Sequence, residues 1–239
     1  MLPTENDKIL ALLCSCQAEN IALAETIAES LGVNISALLA KSLLLDLGIE
    51  KPANFQTKLL SGDFMGNLYS KPLKSLQAMK YFAHLTDLNC AASKKLTKLK
   101  GIEYLTELLV LNCENCNLKS LEGIENALKL RQLNCHYNKI NSLKGLENCT
   151  QIAHLDCSRN KLANLAGLEN CVQLKVLDCH QNQLIDISAL YQLPRLEVLH
   201  IHENFILEHN QIVSFRQYQP HCKLILTFEE HLKHKFSGV

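Results

Sequence analysis

Two adjacent stretches, IAHLDCSRNKLANLAGLENC (152–171) and LKVLDCHQNQLIDISALYQL (174–193), are near-copies that start 22 residues apart, at Ile152 and Leu174. One unit of this length cannot bury its apolar side chains without a neighbour on each side, so a repeat at this period predicts a solenoid. We number six copies along the chain by their first residues: Leu85, Leu108, Leu130, Ile152, Leu174 and Leu196.

The apolar positions divide each copy into two halves. Positions 4 and 6, counted from the first residue of a copy, are Leu and, in five copies, Cys. This alternation predicts one short strand in each copy, with both side chains pointing inward. Apolar residues at positions 11 and 14, followed by Gly at position 16 in three copies, predict a return segment with a sharp turn. Position 9 is occupied in chain order by Ser93, Cys116, Asn138, Asn160, Asn182 and Asn204.

This pattern resembles the leucine-rich repeats, whose L-x-x-L-x-L-x-x-N/C-x-L core the copies match with Cys in the sixth place. The period and the LxxLxGLEN second half are similar to the 22-residue repeats of bacterial internalins and of a Ser/Thr phosphatase regulatory subunit. The resemblance implies an α/β solenoid that is curved, with a parallel sheet on its concave face. It also implies that the Asn at position 9 binds backbone groups of adjoining turns, a role that Ser93 and Cys116 fit less well.

Three parts follow from the position of the repeats. Residues 1–62 predict a helical amino-terminal cap, and residues 63–206 hold the leucine-rich repeats, with six clear copies from residue 85 and a partial copy before them. Residues 207–239 predict a carboxy-terminal cap and tail, in which a helix ends at Pro220 and a last strand covers 224–228.

Composition limits the possible partners and location. Lys plus Arg and Asp plus Glu both number 24, so no net charge favours nucleic acid or an anionic membrane. No run has the length of a membrane span, and the first residues lack the pattern of a cleaved signal peptide. We therefore expect a cytoplasmic monomer with a protein partner, or a protein delivered without a cleaved signal.

The 11 cysteines predict core packing and neither disulfides nor a metal site. Most of them replace Leu or another apolar residue at inward positions, where a free Cys acts as a small hydrophobe. Their number is odd and no secretion signal is present, which argues against an oxidised framework. The sequence also contains none of the common catalytic motifs, so we expect no enzyme activity and no cofactor.

Function is expected on the face of the sheet opposite the core, at positions 3, 5 and 7, with position 8 close by. The candidate partner-binding residues are His136, Tyr137, His154, Asp156, Arg159, Asp178, His180, His200, His202 and Glu203. Tyr and Arg are enriched at interface hot spots, which favours a partner-binding patch. Two alternatives stay open: a Zn²⁺ or Ni²⁺ site that pairs His180 with His202 and Asp178 with His200, or a merely solvated polar face.

The sequence therefore predicts a non-catalytic protein-binding module, with the repeat style suggesting a bacterial origin and an effector role in a host cell. One alternative is an adaptor whose amino-terminal segment, F-box-like only in Leu2-Pro3-Thr4-Glu5, recruits machinery while the repeats select a target. A metal-binding or purely structural scaffold is the third possibility. If imidazoles contact the partner, its affinity should change between about pH 5.5 and 7.5.

Overall fold

The computed structural model describes residues 85–204 and 209–227 continuously, together with residues 68–70, 73–77, 8, 23, 26–28, 30–31, 79 and 230. Most of the predicted amino-terminal cap, including Leu2-Pro3-Thr4-Glu5, lies outside the described residues. The described positions 23, 26–28 and 30 are helical. The division at residues 62 and 206 stays a prediction.

One open parallel sheet runs the length of the described repeats, in strict chain order. Equal positions of neighbouring copies pair with one another, so that Leu88 lies opposite Leu111 and Leu155 opposite Leu177. This register confirms the predicted solenoid with a parallel sheet. The strands are β1 Asp87–Asn89, β2 Val110–Asn112, β3 Gln132–Asn134, β4 His154–Asp156, β5 Val176–Asp178, β6 Val198–His200 and β7 Lys223–Ile225.

The core lies between the strands and the return segments, where apolar residues recur at equal positions. Leu at position 4 and Cys at position 6 are buried in copies 1 to 5, as are positions 11, 14, 17 and 20 of the return segments in copies 2 to 5. Copy 1 has one extra residue after position 9, so its equivalent residues, from Leu96 onward, come one place later. Within the continuously described range 85–204, short 3₁₀ helices lie in the return segments at Ile102–Tyr104, Ile124–Asn126 and Ser188–Leu190. The predicted inward alternation is confirmed.

All described cysteines are free thiols, and all but the half-buried Cys222 are buried. Burial raises the pKa of Cys149 to about 11 and that of Cys171 to about 12. The predicted packing role of the repeat cysteines is therefore confirmed by their position in the core.

A glycine turn joins the two halves of the return segment in copies 1 to 4, and the glutamate two residues later caps it. Gly101 has a φ of 116°, a conformation that L side chains rarely adopt. A Cβ at this position would lie 2.1 Å from the Leu76 carbonyl oxygen. In four copies the Gly N–H donates to the carboxylate at position 18 over 2.5–2.8 Å, which gives the recurring G-x-E its physical reason.

The asparagines at position 9 form a buried ladder that satisfies backbone groups of adjoining copies, as the resemblance implied. Asn160 Nδ2 donates to the carbonyls of Cys135, Cys157 and Ser158 at 3.0–3.1 Å, and its Oδ1 accepts from Ile140 N at 3.0 Å. Buried amides must be paired in this way to avoid a desolvation penalty. Asn138, Asn182 and Asn204 repeat the arrangement.

Position 8 of every copy has a left-handed backbone, although its residues are not glycine. Tyr137 and Arg159 have φ values of 55° and 52°. Ser70 shares this conformation, and its N–H donates to Ala91 O as position 8 of a further copy would. Residues 68–70 therefore continue the repeat geometry ahead of copy 1.

The carboxy-terminal cap is a helix, α1 His209–Tyr218, followed by strand β7. Phe215 on this helix is fully buried against the last copies. The helix ends before Pro220, as predicted. The predicted strand at 224–228 is corrected to Lys223–Ile225, because pairing with β6 begins at Lys223 opposite Val198 and ends at Ile225 opposite His200.

Candidate functional site

The strands carry a broad cavity of about 540 Å³ on the face that points away from the core. We call this the concave face. Positions 3 and 5 of β2 to β5 and position 5 of β6 line the cavity, because alternate residues of each strand point to this side. Its polar lining residues are Asn112, Gln132, Asn134, His154, Asp156, Asp178 and His200.

The structure separates the ten predicted site residues into two groups. Four of them lie on the strands and line the cavity: His154, Asp156, Asp178 and His200. The other six follow the strands at positions 7 and 8 and do not line it: His136, Tyr137, Arg159, His180, His202 and Glu203. Within the second group Tyr137, Arg159 and Glu203 are exposed, and we call these three the rim.

Four of the predicted contact residues are buried, which corrects the expectation that the whole set faces a partner. Asp178, His180, His200 and His202 keep only 6, 5, 4 and 3% of their surface exposed. Equal positions of neighbouring copies lie about 4.8 Å apart, so large rings at position 7 stack on each other. A merely solvated polar face is therefore wrong for these four side chains.

His180 is the centre of this buried cluster. Its ring stacks on His202 with centroids 4.5 Å apart and planes 7° from parallel, and its Nδ1 lies 2.5 Å from Asp178 Oδ1. Burial alone would raise the pKa of Asp178, but the hydrogen bond from His180 and the neighbouring His180 and His200 lower the pKa below its usual value. The cluster holds a carboxylate and its partners in one fixed arrangement.

A second chain of polar contacts lies next to it, between copies 3 and 4. Ser158 Oγ donates to Asp156 Oδ1 and lies 2.6 Å from His136 Nδ1. A hydroxyl donates only once, so His136 donates through Nδ1–H to the serine oxygen. Burial lowers the pKa of His136, opposed by the carboxylates of Asp156 and Glu114, so its neutral form is favoured.

Position 5 has a structural role that the sequence reasoning missed. In copies 1 to 5 its side-chain oxygen accepts a hydrogen bond from the N–H of position 7 in the same copy, at 3.0–3.3 Å. These contacts are Asx turns, which Asn and Asp form with the backbone two residues on. The available signal was the Asn or Asp that recurs at position 5, the last residue of the strand in each of these copies. Part of the amide-rich column is therefore engaged by the protein itself.

Lys94 is a further surface residue that sequence reasoning did not select. Its ammonium lies 5.6 Å from the centre of the Tyr137 ring and donates to Asn115 Oδ1. Tyr137 is 52% exposed, so this contact orders a large aromatic side chain at the surface. Because Lys94 precedes Tyr137 by two copies, the contact depends on how the copies stack.

Among the described residues, no group of three or more His, Cys, Asp or Glu could hold a metal ion. Of the helices that the structure describes, none has the length and apolar run needed to cross a bilayer. The candidate site is therefore a cavity lined by both apolar and polar side chains, with an exposed rim and a buried His/Asp cluster beside it.

Comparisons with known proteins agree with this geometry. A family model described as "Leucine Rich repeats (2 copies)" matches residues 172–217. The functional domain of InlJ from Listeria monocytogenes, which includes a cysteine ladder, is 28% identical with a TM-score of 0.56. That match covers 65% of this chain but only 32% of InlJ. A comparison with curated proteins gives no significant match.

Two further solved structures share the fold at lower identity. Internalin C2 from Listeria monocytogenes is 18% identical with a TM-score of 0.60, and the match covers 78% of this chain and 80% of that one. TLR13 in its complex with ssRNA13 is 22% identical with a TM-score of 0.54, over 65% of this chain and 24% of that one.

The parallel sheet, the ladder and these matches define a leucine-rich-repeat solenoid. This chain has the leucine-rich-repeat fold and is similar to the internalins. Proteins with this fold are typically interaction modules without catalytic activity.

Proposed function

We propose that this protein is a non-catalytic binding module that takes a protein partner in the cavity of the concave face and on the rim. The observation that carries the proposal is the cavity of about 540 Å³, which extends over five consecutive strands. Exposed Tyr137 and Arg159 follow two of these strands, at position 8. Repeat solenoids present such extended surfaces to their partners.

Direct contact is assigned to the exposed residues. Tyr137, Arg159 and His154 are accessible, and Tyr and Arg are the residue types that most often dominate binding energy. Their backbone lies on a stack whose buried amides are paired, so little conformational freedom is lost on binding.

The buried cluster is assigned a supporting role. The side chains of Asp178, His180 and His202 are fixed by packing and hydrogen bonds beneath the surface. We propose that they set the shape of the concave face next to the rim, while the rim and His154 supply the contacts.

The internalin-type neighbours come from Listeria, which favours the further proposal of a bacterial protein, including an effector acting in the cytoplasm of a host cell. The adaptor alternative rests on residues 1–62, most of which lie outside the described residues.

The test is affinity capture with mass spectrometry, using the parent chain and two matched triple variants. Tyr137→Ala/His154→Ala/Arg159→Ala removes exposed contacts from the concave side and its rim. Lys119→Ala/Asn141→Ala/Lys144→Ala removes the same number of exposed side chains from the return segments and serves as the control.

We expect one protein that the parent and the control capture and the first variant loses. Purified partner should then bind the first variant at least about 100-fold more weakly, since each hot spot contributes about 1–2 kcal/mol. A partner that binds both variants as tightly as the parent would place the interface elsewhere on the chain.

A further inference from the structure

A smaller pocket lies at the carboxy-terminal end of the return segments. The rings of Tyr191 and Tyr218 stack there, with centroids 5.0 Å apart and planes 10° from parallel. A cavity of about 360 Å³ lies between this pair and Glu169, with Ser188, Ala189 and Gln192 completing its described lining. We call it the tyrosine pocket.

The pocket arises where the repeat pattern is interrupted. Position 18 is glutamate in the four preceding copies, where it caps the glycine N–H, and Tyr191 takes this place in copy 5. Copy 5 also lacks the glycine, and its turn is closed by Asp186 Oδ1, which accepts from Ser188 N at 2.8 Å. Helix α1 then brings Tyr218 onto the ring of Tyr191.

The tyrosine pair remains accessible and its surroundings are acidic. Tyr218 is 62% exposed, although it is a large aromatic residue on the helix that caps the stack. Glu169 borders the cavity and the charge of Asp186 acts on Tyr191. None of the described residues that line the pocket carries a positive charge.

We propose that the tyrosine pocket binds the guanidinium group of an arginine side chain presented by a protein partner. The guanidinium plane stacks on aromatic faces and pairs with a carboxylate at the same time, and it is more weakly hydrated than a lysine ammonium. Stacked tyrosines beside Glu169 offer both interactions in one cavity.

The carboxylate of Glu169 can serve an arginine while keeping its structural bond. Only its Oε2 accepts from Gly167 N, at 2.7 Å, so the other oxygen is available to a ligand. The Asp186 carboxylate stands in the same relation to Ser188 N. Binding of an arginine at the tyrosine pocket therefore breaks neither of these structural hydrogen bonds.

This site lies on the return segments and the cap helix, whereas the cavity of the concave face lies on the strands. The two sites are tested by different probes. Failure of the arginine proposal leaves the concave proposal standing, and the reverse also holds.

The experiment uses the full chain and three blocked tripeptides, acetyl-Gly-X-Gly-amide, with X as arginine, citrulline or lysine. Citrulline has the shape of arginine without its charge. Amide chemical shifts are followed by NMR during titration. We expect the arginine peptide to shift the amides of residues 188–192 and 214–219, with the citrulline peptide about tenfold weaker and the lysine peptide severalfold weaker.

Three variants sharpen the assignment. Tyr218→Ala and Glu169→Gln should each weaken the arginine peptide about 3- to 10-fold, and glutamine keeps an oxygen for the Gly167 N–H. Tyr104→Ala is the control, because Tyr104 is an exposed tyrosine beside a position-18 glutamate at the other end of the stack. Equal binding of arginine and citrulline, equal binding of arginine and lysine, shifts confined to other residues, or no shifts at all would each overturn the proposal.

Discussion

The first two copies and the last four copies differ in how the side chain at position 9 meets the backbone groups around it. In copies 3 to 6 an asparagine amide makes three donated bonds and accepts one. In copy 2 the Cys116 thiol reaches the carbonyls of Cys90 and Glu114 at 3.3 and 3.6 Å. The Ser93 hydroxyl in copy 1 is buried and has no hydrogen-bond partner among the described residues.

The difference shows that copies of the same fold can stack with different numbers of buried side-chain hydrogen bonds at position 9. Hydrophobic burial is the same in both regions, since Leu111 and Leu177 are equally inaccessible. A thiol is a weak donor, and an unpaired buried hydroxyl carries a desolvation cost. We therefore expect the later copies, which carry the rim and the buried His/Asp cluster, to be the more rigid part.

The largest expected effect tests whether the glycine turn of copy 1 is as tightly packed as the structure shows, although the polar contacts of that copy are weaker. Gly101→Ala would place a Cβ 2.1 Å from Leu76 O, whereas the nearest atom to a Cβ at Gly145 is the Ile124 side chain at 3.3 Å. Both substitutions strain a positive φ, but only the first also makes the Cβ clash with backbone, since the backbone atom nearest to a Cβ at Gly145 is Leu121 O at 3.4 Å. We expect a loss of more than about 3 kcal/mol for Gly101→Ala and about 1–2 for Gly145→Ala in urea unfolding. Equal losses would mean that the copy 1 turn yields easily.

The second prediction measures the ladder directly. Asn160→Ala leaves the buried Ile140 N–H without its acceptor, whereas the Cys135 carbonyl keeps its bond from Asn138 Nδ2, and we expect a cost of about 2–3 kcal/mol. Cys116→Ala removes only thiol contacts, so its expected cost is about 1 kcal/mol. Urea unfolding of both variants gives the comparison. A cost for Cys116→Ala as large as that for Asn160→Ala would contradict the contrast between the regions.

The third prediction repairs the weaker region. Cys116→Asn should extend the ladder by one step and stabilise the chain by about 1 kcal/mol. Asn160→Cys is its reciprocal and should destabilise. The measurement is again the urea midpoint, with unchanged circular dichroism as the control for fold. Destabilisation by Cys116→Asn would show that copy 2 has packed around sulfur in a way that excludes the amide.

The smallest expected effect is a dependence of folding stability on pH, which arises from His136 in copy 3. The pKa of His136 is lowered by burial, so the unfolded chain binds more protons as pH falls below the ordinary histidine value of about 6.5. Stability should therefore decline from pH 7.5 to pH 5.5. Asp178 contributes nothing to this slope, because its lowered pKa keeps it ionised in both states over that range. His136→Gln, which can still donate to Ser158, should flatten the decline, and an unchanged slope would assign it to other groups.

Much of the fold was predictable from the sequence, because residues at equal positions of the repeat lie next to each other in the stack. Leu at position 4, Cys at position 6 and Asn at position 9 recur in step, and each has a single physical role in the stack. The G-x-E cap and the Asx turn at position 5 recur as regularly. They were missed because both are local backbone bonds rather than hydrophobic contacts.

The state of the candidate site was less predictable. Alternation placed His180 and His202 on the concave face, but their burial depends on ring stacking between copies, which periodicity does not specify. The contact between Tyr191 and Tyr218 joins a return segment to the cap helix and has no signal in the repeat. The contact between Lys94 and Tyr137 joins copies 1 and 3 across copy 2, so the pattern within one copy does not predict it either.

The most direct test of the central contrast is native-state hydrogen exchange at position 11. The amides of Leu118, Ile140, Leu162 and Leu184 donate to ladder oxygens of the next copy, whereas Leu96 N bonds only within its own turn, to Ser93 O. We predict that the amides of Ile140, Leu162 and Leu184 exchange at least about tenfold more slowly than that of Leu96. Equal protection along the stack, or greater protection at Leu96, would contradict the expectation that the last four copies, which carry the rim, are more rigid than the first two.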